Sequence, residues 1–198
     1  MFVLTIDQRN SQAGTDLVPT AIDTIERVGG TALALPPERT AGDEIQALIA
    51  GAPAALALAL ALSRAGTWGV GLGAGAVDTP LPEVVRAARG DAFLHARDAV
   101  GRAKSTPLRL AIEGPDAEAA ADAEALLRLL LELRDRRTDE GWEIHDLLAT
   151  GLTQREAAAE LGITESAVSR RVRVAGLRTE EAAIPALARV LGALDPDA

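Results

Sequence analysis

Glycine occupies every second position in the stretch W-G-V-G-L-G-A-G-A-V, residues 68–77. Because successive side chains of a β-strand point to opposite faces, the pattern predicts a strand with one apolar face and one face without side chains. A helix or a ligand can then approach the strand backbone closely, and of the two we expect a packed helix. A dinucleotide fingerprint would need a helix directly after the glycines, whereas D-T-P-L-P follows here, so we reject that interpretation.

The segments on either side of this strand predict a sheet with helical connections. Strands are expected at residues 3–7, 31–35, 44–50 and 107–114, and helices at residues 16–28 and 90–105. Residues 52–66 alternate Ala and Leu as a strand would, but their helix propensity, with Pro53 near the start and Gly66 at the end, favours a helix. The resulting order, β-α-β-β-α-β-α-β, indicates a ferredoxin-like domain with helices on one face of the sheet.

Composition limits the chemistry that the chain offers. Cys is absent, which excludes disulfides, thiolate nucleophiles and Cys-ligated zinc, and neither His95 nor His145 has a second ligand at metal spacing. Hydrophobic residues make up 48% of the 198 residues, but the longest apolar run is shorter than the roughly 20 residues of a membrane-spanning helix. The first residues lack the basic segment of a signal peptide. We therefore expect a cytoplasmic protein without a membrane partner.

A different region begins after Gly114. Residues 115–137 predict a long helix, because acids crowd its first half and arginines its end, and both trends complement the helix dipole. Its apolar stripe consists of Leu126, Leu127, Leu130, Leu131 and Leu133. Such a stripe has to be buried, against the C-terminal helices or against a second subunit. The sequence thus predicts an α+β fold: a ferredoxin-like domain at 1–114, then an all-α domain at 115–198.

Residues 151–172 predict two short helices joined by a tight turn. Thr153 and Glu156 fit a capping box at the start of the first helix, Gly162 ends it, and Thr164 caps the second. The apolar residues at helical spacing, which we expect to pack inward, are Ala157, Ala158, Leu161, Ala167, Val168 and Val172. The pattern resembles the helix-turn-helix of sigma-factor C-terminal domains and of many bacterial regulators. An ordinary helical hairpin with a solvated charged face is the alternative.

The resemblance implies that the second helix enters the major groove of double-stranded DNA. The residues expected to contact DNA are Thr153, Glu165, Ser166, Ser169, Arg170, Arg171, Arg173 and Arg178. The chain is acidic, with 20 Lys+Arg against 29 Asp+Glu and a net charge of −9, yet residues 170–178 contain four arginines and no acid. Salt screens charges beyond about 8–10 Å, so the local patch governs phosphate contact. We expect weak binding by one copy and therefore a homodimer.

Three stretches of the first domain together resemble the SatD family of bacterial proteins, and they are similar to class III nucleotidyl cyclases and GGDEF domains. These stretches are residues 3–11, 40–49 and 68–104. The resemblance implies that Asp7 and Asp43 hold Mg²⁺, a hard cation that prefers oxygen ligands, together with a nucleotide or cyclic nucleotide. We expect the backbone amides just after the first strand to cradle its phosphates, namely those of Gln8, Arg9, Asn10 and Ser11. Alternatively, Asp7 caps the next turn and Asp43 serves the hairpin backbone.

Two positions depart from the cyclase pattern. Where cyclases carry an Asn and an Arg that stabilise the transferring phosphoryl group, this chain has Leu94 and Asp98. Leu cannot form a hydrogen bond, and Asp has the wrong charge for this step. We therefore expect nucleotide binding without catalysis, in a DNA-binding transcription regulator that senses a nucleotide. The alternatives are an active cyclase or nucleotidyl transferase with a DNA-binding tail, and a DNA-binding protein whose first domain only dimerises.

Overall fold

A computed structural model describes residues 1–9 and 14–196, and in them the chain has a mixed α+β fold with one five-stranded sheet and eight α-helices. The strands are β1 (Phe2–Gln8), β2 (Leu33–Arg39), β3 (Glu44–Ile49), β4 (Trp68–Ala74) and β5 (Leu110–Glu113). The helices are α1 (Val18–Gly29), α2 (Ala52–Ser63), α3 (Asp91–Ala103), α4 (Ala117–Asp135), α5 (Asp139–Ala149), α6 (Gln154–Leu161), α7 (Glu165–Val174) and α8 (Leu177–Gly192). The predicted order of strands and helices is confirmed, and so is the helical interpretation of residues 52–66.

The chain folds into two compact units. The first unit consists of Met1–Arg128 and Ala186–Ala198, and the second of Leu129–Pro185. The division therefore lies within α4 and not near Gly114, where the sequence placed it. The physical reason is that the first part of α4 binds the edge of the sheet: Glu124 Oε2 accepts a hydrogen bond from the amide of Ile112 (2.8 Å), and Arg128 donates to the carbonyl of Leu110 (2.8 Å).

The sheet of the first unit has the strand order β2-β3-β1-β4-β5. β1 lies in the middle and is antiparallel to both β3 and β4, while β5 is parallel to β4. β2 and β3 are antiparallel and are joined by a turn in which Gly42 has a φ of +59°. The parallel pair β4 and β5 is connected by α3, as a parallel connection requires.

Helix α3 packs on the glycine face of β4, as the sequence predicts. A Cβ on Gly71 would lie 2.3 Å from the amide nitrogen of Val100, and one on Gly73 would lie 2.2 Å from that of Ala96. The other face of β4 is also buried, since every residue of the strand is buried. Helix α2 also contacts β4, whose glycine face is occupied by α3, so helices lie on both faces of the sheet and the expectation of helices on one face was wrong. A central strand that is buried on both faces usually has a continuous apolar sequence. In β4 the residues of one face are glycines, so only alternate positions carry the large apolar side chains that indicate burial.

The second unit has a small core of its own. It is formed by Ile144 of α5, Ala157 and Ala158 of α6, and Val168 and Val172 of α7. The apolar stripe of α4 is buried in the chain at Leu127, Leu130 and Leu131, whereas Leu126 is 45% exposed. No helix in residues 1–9 and 14–196 is both long enough and apolar enough to cross a bilayer.

Candidate nucleic-acid interface and expected nucleotide site

Local hydrogen bonds determine where α6 begins and where it ends. The hydroxyl of Thr153 accepts from the amide of Glu156 (3.2 Å), and the carboxylate of Glu156 accepts from the amide of Thr153 (2.8 Å). The capping box is thus confirmed. The hydrogen bond from the backbone amide of Thr153, and after it the one from the Thr153 hydroxyl, lower the pKa of Glu156 below its usual value. Gly162 follows α6 with a left-handed φ of +64°, which a residue with a side chain adopts at a cost.

The start of α7 is capped in the same way. The hydroxyl of Thr164 accepts from the amide of Ala167 (3.2 Å). Val168 and Val172, one turn apart, are buried in the core of the unit, and Ala167 is half-buried. The cap and the buried valines together fix the rotation of α7 about its axis, and so determine which of its residues face outward.

The outward side of α7 carries most of the residues expected to contact DNA. Those exposed there and in the segment after it are Glu165, Ser166, Ser169, Arg170, Arg173 and Arg178. Arg171 differs, because it is half-buried and donates to a carboxylate oxygen of Glu143 on α5 (2.7 Å). Thr153 is exposed, but its hydroxyl donates to Glu156 (2.8 Å) and completes the cap. Of the four arginines expected to contact DNA, Arg170, Arg173 and Arg178 are therefore exposed. Arg171 instead links α7 to α5.

A groove of about 850 Å³ lies between α7 and the segment that leads into α5. Its charged lining consists of Arg136, Arg170, Arg171, Arg173 and Glu140. The hydroxyl of Thr138 and the backbone amide of Glu140, together with the charge of Arg171, lower the pKa of the Glu140 carboxyl. Sequence reasoning missed Arg136, which it treated only as a partner of the helix dipole, since no local signal places the end of α4 beside α7.

A buried ionic cluster supports this groove from within the second unit. Glu180 accepts from both Arg134 and Arg137, and all three residues are less than 10% exposed. The guanidinium of Arg137 lies 4.3 Å from the ring centre of Trp142, and its Nε donates to the carbonyl of Ala175 just after α7 (3.1 Å). The end of α7 is therefore tied to the end of α4. The sequence assigned Arg134 and Arg137 to the helix dipole, and their burial was not foreseen.

The two carboxylates expected to hold Mg²⁺ lie at the same end of neighbouring strands. Asp7 pairs with Glu44 in the β1–β3 register, and Asp43 precedes Glu44 in the turn. The ammonium group of Lys104 donates to Asp7 (2.7 Å), so a cation of the chain itself already neutralises this carboxylate. In the described part of the chain, no three His, Asp or Glu side chains come together as a metal site. A magnesium ion would have to displace Lys104 from Asp7 or bind through Asp43 and a phosphate.

The expected phosphate cradle is only partly available. The side chain of Gln8 is buried and connects the end of β1 to the start of α1, donating to the carbonyl of Thr15 (2.7 Å) and accepting from the amide of Leu17 (3.0 Å). The amide of Arg9 donates to the carbonyl of Thr67 (2.8 Å), so the expectation that this amide binds phosphate is corrected. Asn10 and Ser11 lie outside the described residues.

The positions that depart from the cyclase pattern are exposed on α3. Leu94 is 57% exposed, and Asp98 is exposed as well. Between them, His95 points to the sheet, with its Nδ1 2.6 Å from the carbonyl oxygen of Ala74. This hydrogen bond gives His95 a place in the packing of α3 on β4.

Comparison with protein-family models, with curated proteins and with solved structures finds no match to this chain. The resemblance of the first unit to SatD-like and cyclase-like proteins, and that of the second to sigma-factor helix-turn-helix domains, thus stay predictions from the sequence.

Proposed function

We propose that the protein is a DNA-binding transcription regulator in which α7 enters the major groove of double-stranded DNA. One observation carries the proposal: α7 is held on a small core by Val168 and Val172 while its outward side presents Ser166, Ser169 and Arg170 to solvent. Ser and Arg side chains are donors that read base edges in the major groove. Two successive N-caps and a left-handed glycine between the helices give the short, fixed turn that such a motif requires.

The charge of the chain is compatible with this proposal. The net charge of −9 belongs to all 198 residues, whereas the groove beside α7 has four arginines and one carboxylate in its lining. At physiological salt, charges more than about 8–10 Å away are screened, so a phosphate at the groove interacts mainly with the arginines. The acids elsewhere weaken nonspecific binding, which leaves more of the selectivity to base contacts.

The experiment is enrichment of bound duplexes from a random-sequence DNA library, followed by anisotropy titrations with the enriched duplex. We expect Arg170→Ala and Arg173→Ala to weaken binding by about 1–3 kcal/mol where the side chain makes a bidentate base contact, and to relax the preference at one position. Arg97→Ala, which removes the same charge from exposed Arg97 of α3 in the first unit, is the matched control. Failure to enrich any sequence, or variants that bind like the control, would refute the proposal.

For the first unit we propose a nucleotide-sensing role without catalysis. The support is the position of Asp7 and Asp43 at one end of the adjacent strands β1 and β3, with β1 in the middle of the sheet. Calorimetry and thermal shift with nucleoside triphosphates, cyclic nucleotides and cyclic dinucleotides, with and without Mg²⁺, test it. Binding that Asp43→Asn abolishes supports the role, and release of a cyclic product from ATP or GTP would show an active enzyme instead.

A second candidate is favoured by the ion pair between Lys104 and Asp7 and by the engaged amide of Arg9. In this candidate the first unit binds no nucleotide and serves as a platform for a homodimer that places two copies of α7 on one DNA site. It predicts that Asp7→Ala and Asp43→Ala leave DNA affinity unchanged in the presence of every nucleotide of the panel. Sedimentation velocity of the free protein and of its complex with the enriched duplex measures whether two copies bind.

A further inference from the structure

The groove beside α7 extends the outward face of that helix. Ser166, Arg170 and Arg173 belong both to the exposed side of α7 and to the lining of the groove. The opposite wall comes from the end of α4 and the start of α5, with Arg136, Thr138 and Glu140. The groove is thus bounded by α7 on one side and by the segment that joins α4 to α5 on the other.

Arg136 is the cation of that wall and is easily recruited. Its side chain is 80% exposed, and its ion pair with Glu132, one turn earlier on α4, is long at 3.7 Å and also exposed. Exposed pairs of this kind contribute only about 0–1 kcal/mol, so giving one up for a phosphate costs little. Nearby Arg134 and Arg137, by contrast, are buried on Glu180 and are not available to a ligand.

We propose that this groove holds the phosphodiester backbone of one DNA strand, with Arg136, a residue outside the helix-turn-helix, bound to one of its phosphates. The inference rests on the proposed function, and it adds a contact that positions α7 without reading sequence. Half to two-thirds of protein–DNA hydrogen bonds are of this positioning kind. The chain, with its net charge of −9, then contacts DNA through one arginine-lined surface. That surface is built from α7 and from the segment that joins α4 to α5, which are distant in sequence.

The character of the lining favours a polymer backbone over a small ligand. Small-molecule sites are concave, mostly apolar and enclose the ligand. Here most of the lining is exposed, including Arg136, Thr138, Ser166, Arg170 and Arg173. Three exposed arginines in one open groove, Arg136, Arg170 and Arg173, fit a polymer that carries a phosphate at every nucleotide.

The test compares full-length wild-type protein with Arg136→Ala on two duplexes, the one enriched from the library and a scrambled duplex of equal length and composition. Affinity is measured at several salt concentrations between about 50 and 200 mM KCl. Each phosphate contact contributes about −0.9 to the slope of log K against log salt, so Arg136→Ala should make this negative slope shallower by about 0.9 on both duplexes. The ratio of the two affinities should stay at the wild-type value, and Arg97→Ala should leave slope and affinity unchanged.

Three results would overturn the assignment, and each differs from failure of the proposed function. A slope for Arg136→Ala equal to that of Arg97→Ala, while Arg170→Ala still loses binding, removes the phosphate contact and leaves the DNA-binding proposal intact. A loss restricted to the enriched duplex makes Arg136 a base-reading residue. Displacement of DNA by inorganic pyrophosphate at constant ionic strength, seen with wild type and not with Arg136→Ala, assigns the groove to a small anion.

If wild type binds neither duplex, the proposed function fails and the groove assignment fails with it. Equal melting temperatures confirm that the variants are folded.

Discussion

At the scale of single residues, the glycines of β4 show what a sequence can reveal. Alternation alone predicts a strand face without side chains, and the structure places the backbone of α3 where a Cβ of Gly71 or Gly73 would lie. The pattern is informative because the absence of side chains on one face is determined by the sequence of the strand itself. Which helix fills the space is a tertiary fact, and the sequence offers no signal for it beyond order along the chain.

The first prediction concerns Gly71. A Cβ there would lie 2.3 Å from the amide nitrogen of Val100, so Gly71→Ala has to displace α3 and should lower the free energy of unfolding by about 1–3 kcal/mol or more. Urea unfolding measures it. Gly101→Ala is the matched control, because Gly101 is in α3 with nothing within 4 Å of its added Cβ, and it should stabilise by about 0.4–1 kcal/mol. Equal effects of the two changes would contradict the close packing of α3 on β4.

The second prediction concerns Glu180, which is 4% exposed and holds two buried arginines. Glu180→Gln removes the charge that compensates Arg134 and Arg137, and breaking a buried pair in this way costs about 3–5 kcal/mol of unfolding free energy. Trp142 lies against both guanidinium groups, so its part of the tryptophan fluorescence, which it shares with Trp68 of the first unit, follows the unfolding of the second unit. Glu132→Gln, on an exposed pair with Arg136, should change stability by about 0–1 kcal/mol. A similarly small loss for Glu180→Gln would show that the cluster is not needed.

At the scale of elements, the helices α6 and α7 could be predicted almost to the residue, and so could the bounds of α4, whereas the contacts made by the two ends of α4 could not. Thr153, Gly162 and Thr164 act on amides and carbonyls a few residues away, so their signals are complete within the sequence. The arginines at the end of α4 look alike in sequence. The fold buries Arg134 and Arg137 on Glu180 and leaves Arg136 in the groove, a difference produced by contacts with α8 and α7 that no local pattern encodes.

The third prediction follows from the cap of α6. The hydrogen bonds with Thr153 lower the pKa of Glu156 below its usual 4.5, so its ionised form stabilises the fold. For a carboxyl with a lowered pKa, this stabilisation is present above the unfolded-state value and is lost as the pH falls through the folded-state value. Urea unfolding should therefore show Glu156→Ala less stable than wild type at pH 7, with a gap that shrinks below about pH 4. Glu160→Ala on the same helix is the control, and a gap independent of pH would show that the charged form is not what caps α6.

At the scale of the whole molecule, a regulator requires that the two units influence each other's ligands. A nucleotide that binds the first unit changes DNA affinity only if it binds the DNA-competent state and the other state with different affinities. The chain passes between the units twice, once within α4 and once within α8, since residues from Ala186 onward return to the first unit. The sequence could not predict this return, because the last residues carry no domain signal, and their position depends on contacts such as that of Asp195 with the N-terminal ammonium group (2.5 Å).

The fourth prediction is reciprocity between the two binding events. If a nucleotide from the panel changes the affinity for the enriched duplex by some factor, the duplex must change the affinity for that nucleotide by the same factor, because the coupling free energy is one quantity, typically about 1–3 kcal/mol. Anisotropy titrations of the duplex with and without nucleotide, and calorimetry of the nucleotide with and without duplex, measure the two factors. Asp43→Asn should abolish nucleotide binding and the coupling together while DNA affinity in the absence of nucleotide stays at the wild-type value. A duplex affinity that no nucleotide changes, in a protein that binds DNA as proposed, would assign the first unit to the platform role, because a regulator whose two sites share no coupling free energy cannot sense anything through them.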